Sequence, residues 1–551
     1  MMRRSLGHRA PLLWVVLPMI AGLIIGRWGP PVPLSGLIAV ATGAIALAWW
    51  AFAKHPRVTT AAVVFAGVAL GSASYTLNRA RLASWTGLPP REAQVDLRII
   101  RVFAQPDPQR ASGLATIVRA EPHLRSLHGQ ALYFSLDVPN GDRPPIRSTV
   151  LNAIGVLTAV PDDAPRDSFD GYLASTGTNF RLTRGRVLAT VTSASRYRQF
   201  CHRQLDRFSD FLSRGVIGKR PELAAVLRAM LLGQKHELNE EQNTLFMRSG
   251  TMHLFAISGL HIGVIALGLQ ALLGLLRFPA LVRFFLGHSA LWLYVDITGG
   301  TPSAVRAFLM VALLDGARLL RAPGNPLAAL TTSALIVVLA WPLQIFSASF
   351  QMSYGIVAAL LLLGLPLADA WQERWGWFRL LPPALWRWYH HRLNELHRNV
   401  GSALALGLAS TLVSTLCGVL YFQIFTPAAL LANLVLIPAA SVVILGGFAS
   451  LVSGLLGAAT LNALFNHAAV LTLAVIEFVV QLAATTPGAW HTARFTQSWI
   501  GPAAFLALAA SLVFGYAARW ANDRGGWWPP LVIVTLTLLL GVEFGEQDGE
   551  E

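Results

Sequence analysis

The apolar residues of this chain form long runs in two separate blocks, and this arrangement constrains the fold more than any other feature. A helix needs about 20 mostly apolar residues to cross roughly 30 Å of hydrocarbon. Three runs of that kind open the chain, and further runs follow after residue 250. Hydrophobic residues make up 54% of the sequence and charged residues only 13%, a composition that soluble domains do not have. The sequence therefore predicts a polytopic α-helical membrane protein.

The apolar runs divide the chain into an N-terminal block, residues 1–77, and a larger C-terminal block, residues 251–544. We expect about 12–13 membrane spans, because some of the shorter runs can enter and leave the membrane on the same side. An acidic tail, residues 545–551, follows the last run. The expected spans lie near residues 11–28, 33–53, 58–77, 253–276, 280–297, 302–320, 325–341, 346–367, 401–422, 428–456, 461–485, 499–519 and 528–544.

Arginine and lysine in the short loops predict the orientation, because cytoplasmic loops carry an excess of these residues. With the spans placed as above, Arg3, Arg4 and Arg9 fall on the same side as the arginine-rich loop 368–399. The N-terminus is therefore expected in the cytoplasm. Three spans then place the region that begins at residue 78 on the outer face of the membrane.

The region between the two blocks has a different composition, with frequent arginine, aspartate and proline. Short alternating runs such as 94–99 and 131–136, separated by turn-like stretches, predict that residues 78–195 form a β-rich domain. Residues 196–250 mix apolar and basic residues at helical spacing. Helices of that kind lie in the plane of the membrane interface, so we expect amphipathic helices on the outer surface here.

Four sequence blocks occur in a fixed order across roughly residues 220–455. They are GTMHLFAISGLH at 250–261, TGGTPSAVRA at 298–307, SFQMSY at 349–354 and ANLVLIPAA at 432–440. In this order they resemble the ComEC family of competence DNA-uptake channels. The resemblance implies that the β-rich domain is OB-like and that the chain lies in the bacterial inner membrane. It also implies a channel that admits single-stranded DNA to the cytoplasm during natural transformation.

The polar residues of these blocks predict a hydrated path through the membrane domain. Polar groups on apolar helices must face protein or water, because lipid cannot satisfy their hydrogen bonds. The candidate residues of the path are His253, Ser258, Gly259, His261, Gly299, Gly300, Ser303, Arg306, Gln351, Ser353 and Asn433.

Some of these residues have a purely structural alternative. On a continuous helix, His253 and His261 project from the same face, where they either line the path or hydrogen-bond across a helix interface. Arg306 inside an apolar helix must be paired or hydrated, so it either contacts passing phosphates or forms an ion pair with Asp296 or Asp315. A further polar face has the same two interpretations; it consists of Asn462, Asn466, Glu477 and Gln481, with His467 beside it.

The outer domain offers candidate contacts for DNA. OB-like modules that bind single strands combine a basic groove with exposed aromatic side chains. Tyr133 and Phe134 are adjacent in a predicted strand and face opposite ways, so at most one of them can stack on bases; packing in the domain core is the alternative. The candidates are Arg98, Arg101, Arg119, Arg125, Tyr133, Arg181, Arg184 and Arg186.

The sequence predicts no catalytic activity, no metal site and no cofactor. Its two cysteines, Cys201 and Cys417, match no metal or redox spacing. Many proteins that resemble this chain carry a metallo-β-lactamase-like domain with a His-x-His-x-Asp-His cluster, and this sequence contains neither that cluster nor a Walker motif. The expected partners are therefore single-stranded DNA, the lipid bilayer, a separate periplasmic DNA-binding or nuclease protein, and a cytoplasmic ATPase.

Two other functions remain open from the sequence. A secondary transporter of a small or lipid-linked substrate would need an ion-coupling carboxylate at mid-depth, for which Asp315 and Glu477 are the candidates. An intramembrane hydrolase would be built on His253, His261 and Ser258. Neither function explains the basic outer domain, so the sequence favours the DNA channel.

Overall fold

The computed structural model shows a helical membrane protein with a β-barrel inserted after its first three helices. Within the described residues, eight helices are long and apolar enough to cross a membrane, and four further apolar helices are shorter. The predicted fold class, a polytopic helical membrane protein with a β-rich domain, is confirmed. The structure describes residues 9–52, 54–80, 89–103, 107, 109–139, 144–161, 164–255, 257–375, 377–378, 382, 385–520 and 526–545.

Three helices precede the barrel: α1 (Leu13–Trp28), α2 (Leu34–Ala51) and α3 (Pro56–Ala80). Helices α1 and α3 cross very closely at Gly22 and Gly71, where a Cβ atom on either glycine would collide with a backbone carbonyl group of the other helix. Small residues allow such close contacts between helices in lipid. The N-terminal block therefore depends on glycine for its tightest helix pair.

The β-rich domain is a closed barrel of five strands in the order β1–β2–β3–β5–β4. Neighbouring strands are antiparallel except β3 and β5, which are parallel. A five-stranded Greek-key barrel is the architecture of the OB fold. The elements of the domain are β1 (Arg91–Phe103), β2 (Arg110–Ala120), β3 (Ala131–Asp137), β4 (Val150–Ala159), the short helix α4 (Phe169–Ser175) and β5 (Phe180–Thr192).

The barrel interior is filled by every second side chain of its strands, because successive side chains of a strand point to opposite faces. Leu97, Phe134 and Phe180 are completely buried there. Tyr133 lies on the outside of the barrel and only half-buried. The prediction that Tyr133 and Phe134 face opposite ways is confirmed.

The chain after the barrel is mainly helical. A π-helical turn, Leu360–Gly364, joins α12 to α13, and another, Gly418–Phe422, ends α14. The helices are α5 (Arg196–Ser213), α6 (Pro221–Leu232), α7 (Glu240–Arg248), α8 (Gly259–Leu275), α9 (Ala280–Ile297), α10 (Pro302–Leu319), α11 (Pro326–Ala340), α12 (Ala348–Ala359), α13 (Leu365–Trp375), α14 (Trp388–Cys417), α15 (Ala429–Leu455), α16 (Ala459–Thr485), α17 (Ile500–Ala517) and α18 (Trp528–Gly541).

Five of these helices form a ring, in which α8 packs against α10, α10 against α12, α12 against α14, α14 against α15, and α15 against α8. Among the described residues, helices on opposite sides of this five-helix ring make at most marginal contacts. Small residues line four of the five seams and let the helices approach closely. These contacts are Gly259–Ala307 for α8–α10, Gly268–Phe448 for α8–α15, Gly355–Val413 for α12–α14 and Gly407–Leu430 for α14–α15.

A small three-stranded sheet, which the sequence does not predict, joins the ends of distant helices. It consists of β6 (Ile424–Phe425), β7 (His491–Phe495) and β8 (Val542–Gly545). The expected span at 528–544 is therefore too long, because its last residues pair as a strand. Gln423, next to β6, hydrogen-bonds to Asp167 beside the barrel, so this sheet and the barrel lie on the same side of the membrane domain.

The expectation of surface helices at residues 196–250 is wrong for α6. Nine of the twelve residues of α6 are buried in the core of the membrane domain, among them Leu227 and Leu231. The basic residues that suggested a surface helix lie mainly in α5 and in the turn after it. Helix α6 is therefore an internal element, packed against α15 and α16.

Candidate functional site

The first sequence block forms a turn followed by the start of α8. Residues Met252–Phe255 make a 3₁₀ turn, and α8 begins only at Gly259 because the extended backbone of Ser258 stops it. The Ser258 N–H donates to Nδ1 of His261 at 3.3 Å, and Ser258 Oγ lies 3.0 Å from the same nitrogen. These contacts satisfy a free N–H group at the start of the helix.

This cap separates the two histidines that the sequence places on one helix face, so that prediction is wrong. His253 lies in the 3₁₀ turn, where it is exposed and its Nδ1 contacts the Gly250 carbonyl oxygen at 3.1 Å. His261 lies in the first turn of α8 and is completely buried. Its Nε2 has no hydrogen-bond partner within the described part of the chain. Ala256, between them, lies outside the described residues.

The second block makes the turn between α9 and α10. Gly299 and Gly300 both adopt a positive φ, 94° and 62°, which glycine reaches without steric cost. Pro302 then occupies the first turn of α10, where its missing N–H is not needed. Ser303 Oγ donates to the Ile257 carbonyl oxygen at 2.8 Å. The start of α10 is therefore tied directly to the turn before α8.

Arg306 closes the remaining seam of the five-helix ring, between α10 and α12. Its side chain is almost completely buried, and Nη2 donates to Ser349 O at 2.8 Å, Ser349 Oγ at 2.6 Å and Ser353 Oγ at 3.0 Å. Nη1 reaches Gln344 Oε1 at 3.3 Å. All of these acceptors are neutral, so the hydrogen bonds hold the guanidinium group without cancelling its charge.

The predicted ion pair of Arg306 with Asp296 or Asp315 is wrong. Asp296 pairs instead with Arg147 and Arg198, and Asp315 lies 2.9 Å from Arg318 on its own helix. The sequence does not reveal these partners, because the acceptors of Arg306 lie in the third block on α12 and in the turn just before that helix. Arg306 therefore remains a buried cation without an acidic partner among the described residues.

The third and fourth blocks complete this end of the ring. Gln351 Nε2 donates to Ile345 O at 3.2 Å, which secures the turn before α12. Gly250 packs against Thr426 and Ala429 at the start of α15, one turn before Asn433. Asn433 is half-buried, and its Oδ1 has no partner within the part of the chain that the structure describes. All four blocks thus meet at one end of the five-helix ring.

This end of the ring is accessible. His253, Gly259, Gly299 and Ser349 are exposed, although each lies in a block that packs closely on its neighbours. Ser349 accepts a hydrogen bond from Arg306. The buried guanidinium group is therefore only one hydrogen bond away from solvent.

A carboxylate at the end of α9, just before the turn that leads into α10 of the ring, connects the barrel to the membrane domain. Asp296 accepts hydrogen bonds from Arg198 Nη1 and Tyr197 Oη, both at 2.8 Å, and from Arg147 Nη1 at 3.3 Å. Arg147 belongs to the barrel, and it also lies next to Gly300. Burial, and then the neighbouring Arg198 cation, lower the pKa of Arg147. We call Asp296 and its three donors the Asp296 joint.

The turn before α12 is also held from the N-terminal block. Phe346 lies in the 3₁₀ turn Pro342–Phe346, and its ring is 5.6 Å from that of Trp28 and 6.1 Å from that of Tyr75, both edge-on. The Arg27 guanidinium carbon lies 4.4 Å from the centre of the Phe346 ring. Since Gln344 of the same turn accepts from Arg306, helices α1 and α3 support the seam that Arg306 closes.

The outer face of the barrel carries a cluster of four aromatic rings. Tyr133 lies 4.9 Å from Phe169 and 6.2 Å from Phe103, and Phe169 lies 6.0 Å from Tyr172. Phe169 is 44% exposed. The sequence analysis missed Phe103, Phe169 and Tyr172. The signal available in the sequence was Phe169 and Tyr172, three residues apart in a short segment that begins after the helix-capping residue Ser168.

Two of the predicted arginines flank this aromatic cluster. Arg101 lies over the ring of Phe103 at 5.5 Å, and Arg181 lies over Phe169 at 5.9 Å while pairing with Asp170 at 2.8 Å. The other predicted arginines are exposed on the barrel, and no described contact joins them to the cluster; they are Arg98, Arg119, Arg125, Arg184 and Arg186.

The polar face of α16 divides into two parts. Asn462 and Asn466 are completely buried and hydrogen-bond to Ser450 on α15. They connect helices, as the structural alternative requires. Glu477 is half-buried and Gln481 is exposed. Among the described residues, no group of three or more histidine, cysteine or acidic residues could hold a metal ion.

Comparison with known proteins adds independent findings. The family model described as Competence protein matches residues 230–520, more than half of the chain and the whole five-helix ring. ComE operon protein 3 of Bacillus subtilis is 32% identical over 145 residues, 26% of this chain and 18% of that protein. Recombination protein 2 of Haemophilus influenzae is 25% identical over 226 residues, 39% of this chain and 26% of that protein. The chain thus aligns with about a quarter or less of each relative's length, and no solved structure matches it.

Proposed function

The chain belongs to the Competence protein family, and from this premise we propose that it is an inner-membrane channel that passes single-stranded DNA into the cytoplasm during natural transformation. One observation carries the proposal. The four sequence blocks, which lie far apart along the chain, meet at a single accessible end of a closed ring of membrane helices. The barrel is attached at that same end through the Asp296 joint.

The ring supports a path for a polyanion. Packed helices lie about 8–10 Å apart, so a ring of five leaves an axis lined by side chains, with no helix at the centre. A single strand carries one negative charge per nucleotide and needs water and weak cationic contacts along its way. Arg306 offers such a contact, because its neutral acceptors leave its positive charge uncompensated and Ser349 beside it is exposed.

The barrel supports capture of the strand before it reaches the ring. Aromatic side chains stack on bases without regard to sequence, and arginines contact the phosphates between them. Phe103, Tyr133, Phe169 and Tyr172 provide the aromatic surface, and Arg101 and Arg181 frame it. In this proposal the outer barrel is the first binding site for the strand.

The proposal assigns two steps of DNA uptake to other proteins. The chain acts as a conduit and not as an enzyme, so a separate periplasmic nuclease or DNA-binding protein supplies the strand. A cytoplasmic ATPase supplies the direction of transport. A cytoplasmic N-terminus, with the barrel in the periplasm, fits the arginine-rich loops on the opposite side. The coupling carboxylate that a secondary transporter needs is less well supported, since Asp315 is already paired with Arg318.

The test is to delete the gene and to follow fluorescent DNA separately into the periplasm and into the cytoplasm. We expect DNA to gather outside the inner membrane while cytoplasmic entry disappears, and we expect the wild-type gene to restore entry. Normal transformation of the deletion strain, with no second gene of the same family present, would overturn the proposal.

A further inference from the structure

A cavity of about 420 Å³ lies between α9, α10 and the start of α5. Phe285 and Trp292 of α9 line it, and these two side chains are 61% and 40% exposed. Leu293 and Phe308 add further apolar walls, and Ser289 adds one small hydroxyl group. Exposed apolar surface of this kind on a membrane helix is suited to contact with lipid. We call this cavity, which is open on its lipid-facing side, the α9 groove.

The two larger polar side chains of the α9 groove have their polar atoms next to other protein groups. Tyr197 Oη donates to Asp296 at 2.8 Å. His288 Nδ1 lies 2.8 Å from the Phe284 carbonyl oxygen, and His288 Nε2 lies 3.6 Å from the Asp315 carboxylate. The groove therefore offers mainly apolar surface to an occupant, although tyrosine and histidine contribute to its walls.

The end of the α9 groove nearest the barrel is cationic. Tyr197 belongs both to the groove and to the Asp296 joint, and the guanidinium carbon of Arg198 lies 5.3 Å from the centre of its ring. Arg147 and Arg198 share the single carboxylate of Asp296, so one positive charge is left over. The Arg147 side chain is 40% exposed and that of Asp296 only 7%. An anion can therefore reach the cation while the carboxylate stays covered.

The length of the α9 groove matches one leaflet of a bilayer. Phe285 and Asp296 are eleven residues apart on α9, which corresponds to about 16 Å along the helix axis. Half of a hydrocarbon layer of roughly 30 Å is about 15 Å. Because the barrel is attached at the Asp296 end, that end lies at the membrane surface. The groove thus runs from the surface to about the centre of the bilayer.

We propose that the α9 groove binds one anionic phospholipid, with its phosphate group at Arg147 and Arg198 and one acyl chain along Trp292 and Phe285. The phosphate supplies the negative charge that the Asp296 joint lacks, and basic sites between membrane helices bind anionic headgroups in this way. This inference requires only that the chain is embedded in a bilayer, and it is independent of the proposed transport of DNA. A lipid held there contacts the barrel and α9 at once.

Other sources of phosphate and other lipids satisfy only half of this site. A free phosphate ion or a nucleic acid strand has the negative charge but no acyl chain to fill the α9 groove. A zwitterionic phospholipid has the acyl chains, but its own ammonium group cancels the charge of its phosphate. An anionic phospholipid uses both the cationic end and the apolar walls. The charge and the groove can therefore be tested separately.

The first arm of the test removes the charge. The full-length chain is placed in lipid nanodiscs with equal amounts of phosphatidylglycerol and phosphatidylethanolamine, and the lipids that it retains are counted by native mass spectrometry. We expect the wild type to prefer phosphatidylglycerol by about tenfold, or roughly 1.4 kcal/mol. Arg147→Gln should lose this preference but still retain lipid, whereas Arg147→Lys, which keeps the charge, should preserve most of it. Arg186→Gln, at an exposed position of the barrel, is the control and should bind as the wild type does.

The second arm fills the α9 groove. Ser289 is exposed, so Ser289→Trp places a large side chain in the groove without disturbing the core. We expect it to retain about tenfold less of both lipids, because the acyl chain loses its place. Leu464→Trp is the matched control, since Leu464 is 61% exposed on α16 and does not line the groove.

Three outcomes would overturn the proposal. The first is equal retention of the two lipids by the wild type, and the second is an unchanged preference in Arg147→Gln. The third is a loss of preference in Arg147→Gln together with normal retention in Ser289→Trp. In that case the joint would bind a phosphate group whose acyl chain does not occupy the α9 groove, as a free phosphate ion or a nucleic acid would.

Discussion

Two seams of the five-helix ring are closed in opposite ways. At the α8–α15 seam, the ring of Phe448 packs directly against Gly268, where an added Cβ atom would lie only 3.1 Å from the ring. At the α10–α12 seam, the long side chain of Arg306 reaches across to three neutral side chains and a backbone oxygen. The first seam depends on shape and the second on hydrogen bonds. A shape-matched seam cannot open without creating a void, whereas hydrogen bonds can be exchanged for water or for a passing anion.

The largest effect is expected from Gly268→Leu, which breaks the shape-matched seam. The added side chain must displace the Phe448 ring, which lies 3.1 Å from the new Cβ position, and overpacking of this kind costs about 1–3 kcal/mol or more. Thermal unfolding of the purified protein and its abundance in membranes should both fall. Gly263→Leu on the same helix is the control, because nothing lies within 4 Å of that position. Equal stability of the two variants would contradict the distinction.

The next effect concerns the seam that depends on hydrogen bonds. Arg306→Ala removes the cation but leaves acceptors that water can satisfy through the exposed Ser349, so we expect at most a modest loss of protein. DNA import, measured as transformation frequency, should fall by about tenfold or more, since roughly 1.4 kcal/mol of lost interaction with the strand corresponds to tenfold. If abundance and import fall equally, Arg306 has only a structural role.

Arg306→Lys sharpens the comparison with a smaller change. Lysine keeps the positive charge, but its single ammonium group cannot span Gln344, Ser349 and Ser353 as the planar guanidinium group does. We expect import between that of the wild type and that of Arg306→Ala, at near-normal abundance. Import as low as in Arg306→Ala would show that the hydrogen-bond geometry matters and the charge does not.

The smallest effect is expected from Ser353→Ala, which removes one of the acceptors of Arg306 at 3.0 Å. Such a hydrogen bond contributes about 0.5–1.5 kcal/mol, or somewhat more when one partner is charged. A double-mutant cycle with Arg306→Ala, read by thermal unfolding, should give a coupling energy in that range. Strictly additive losses would mean that the two side chains do not interact in the membrane.

The hydropathy of the chain sufficed to predict the fold class, because membrane spans are set by local composition. Local caps and distant partners were not predictable in the same way. The prediction that one helix contains both His253 and His261 is wrong because α8 begins only after Ser258, which caps it. The predicted ion pair of Arg306 is wrong because its hydrogen-bond partners lie outside its own helix. The sequence shows polar residues in each of the four blocks, but only the structure brings the blocks to one end of the ring.

Helix α5 shows where hydropathy does not identify an element of the membrane domain. Its charges exclude it from any hydropathy-based list of spans, yet Arg198 near its start hydrogen-bonds to Asp296 of α9, and Phe211 near its end packs on Gly454 of α15. The small sheet was missed because β7 is short and β8 lies at the end of an apolar run. The aromatic cluster was missed because Phe103 of β1 and Tyr133 of β3 meet Phe169 and Tyr172 of α4 only in the folded barrel.

The Asp296 joint has an electrical consequence. Two guanidinium groups, those of Arg147 and Arg198, share one carboxylate. The Asp296 joint therefore keeps a surplus of one positive charge beside the accessible end of the five-helix ring. Arg306, further along, adds a second unbalanced charge. Both charges attract a polyanion, and neither distinguishes one base sequence from another, because sequence is read through base edges and not through charge. Under the proposed function, any discrimination among nucleic acid sequences must therefore come from contacts other than these two charges.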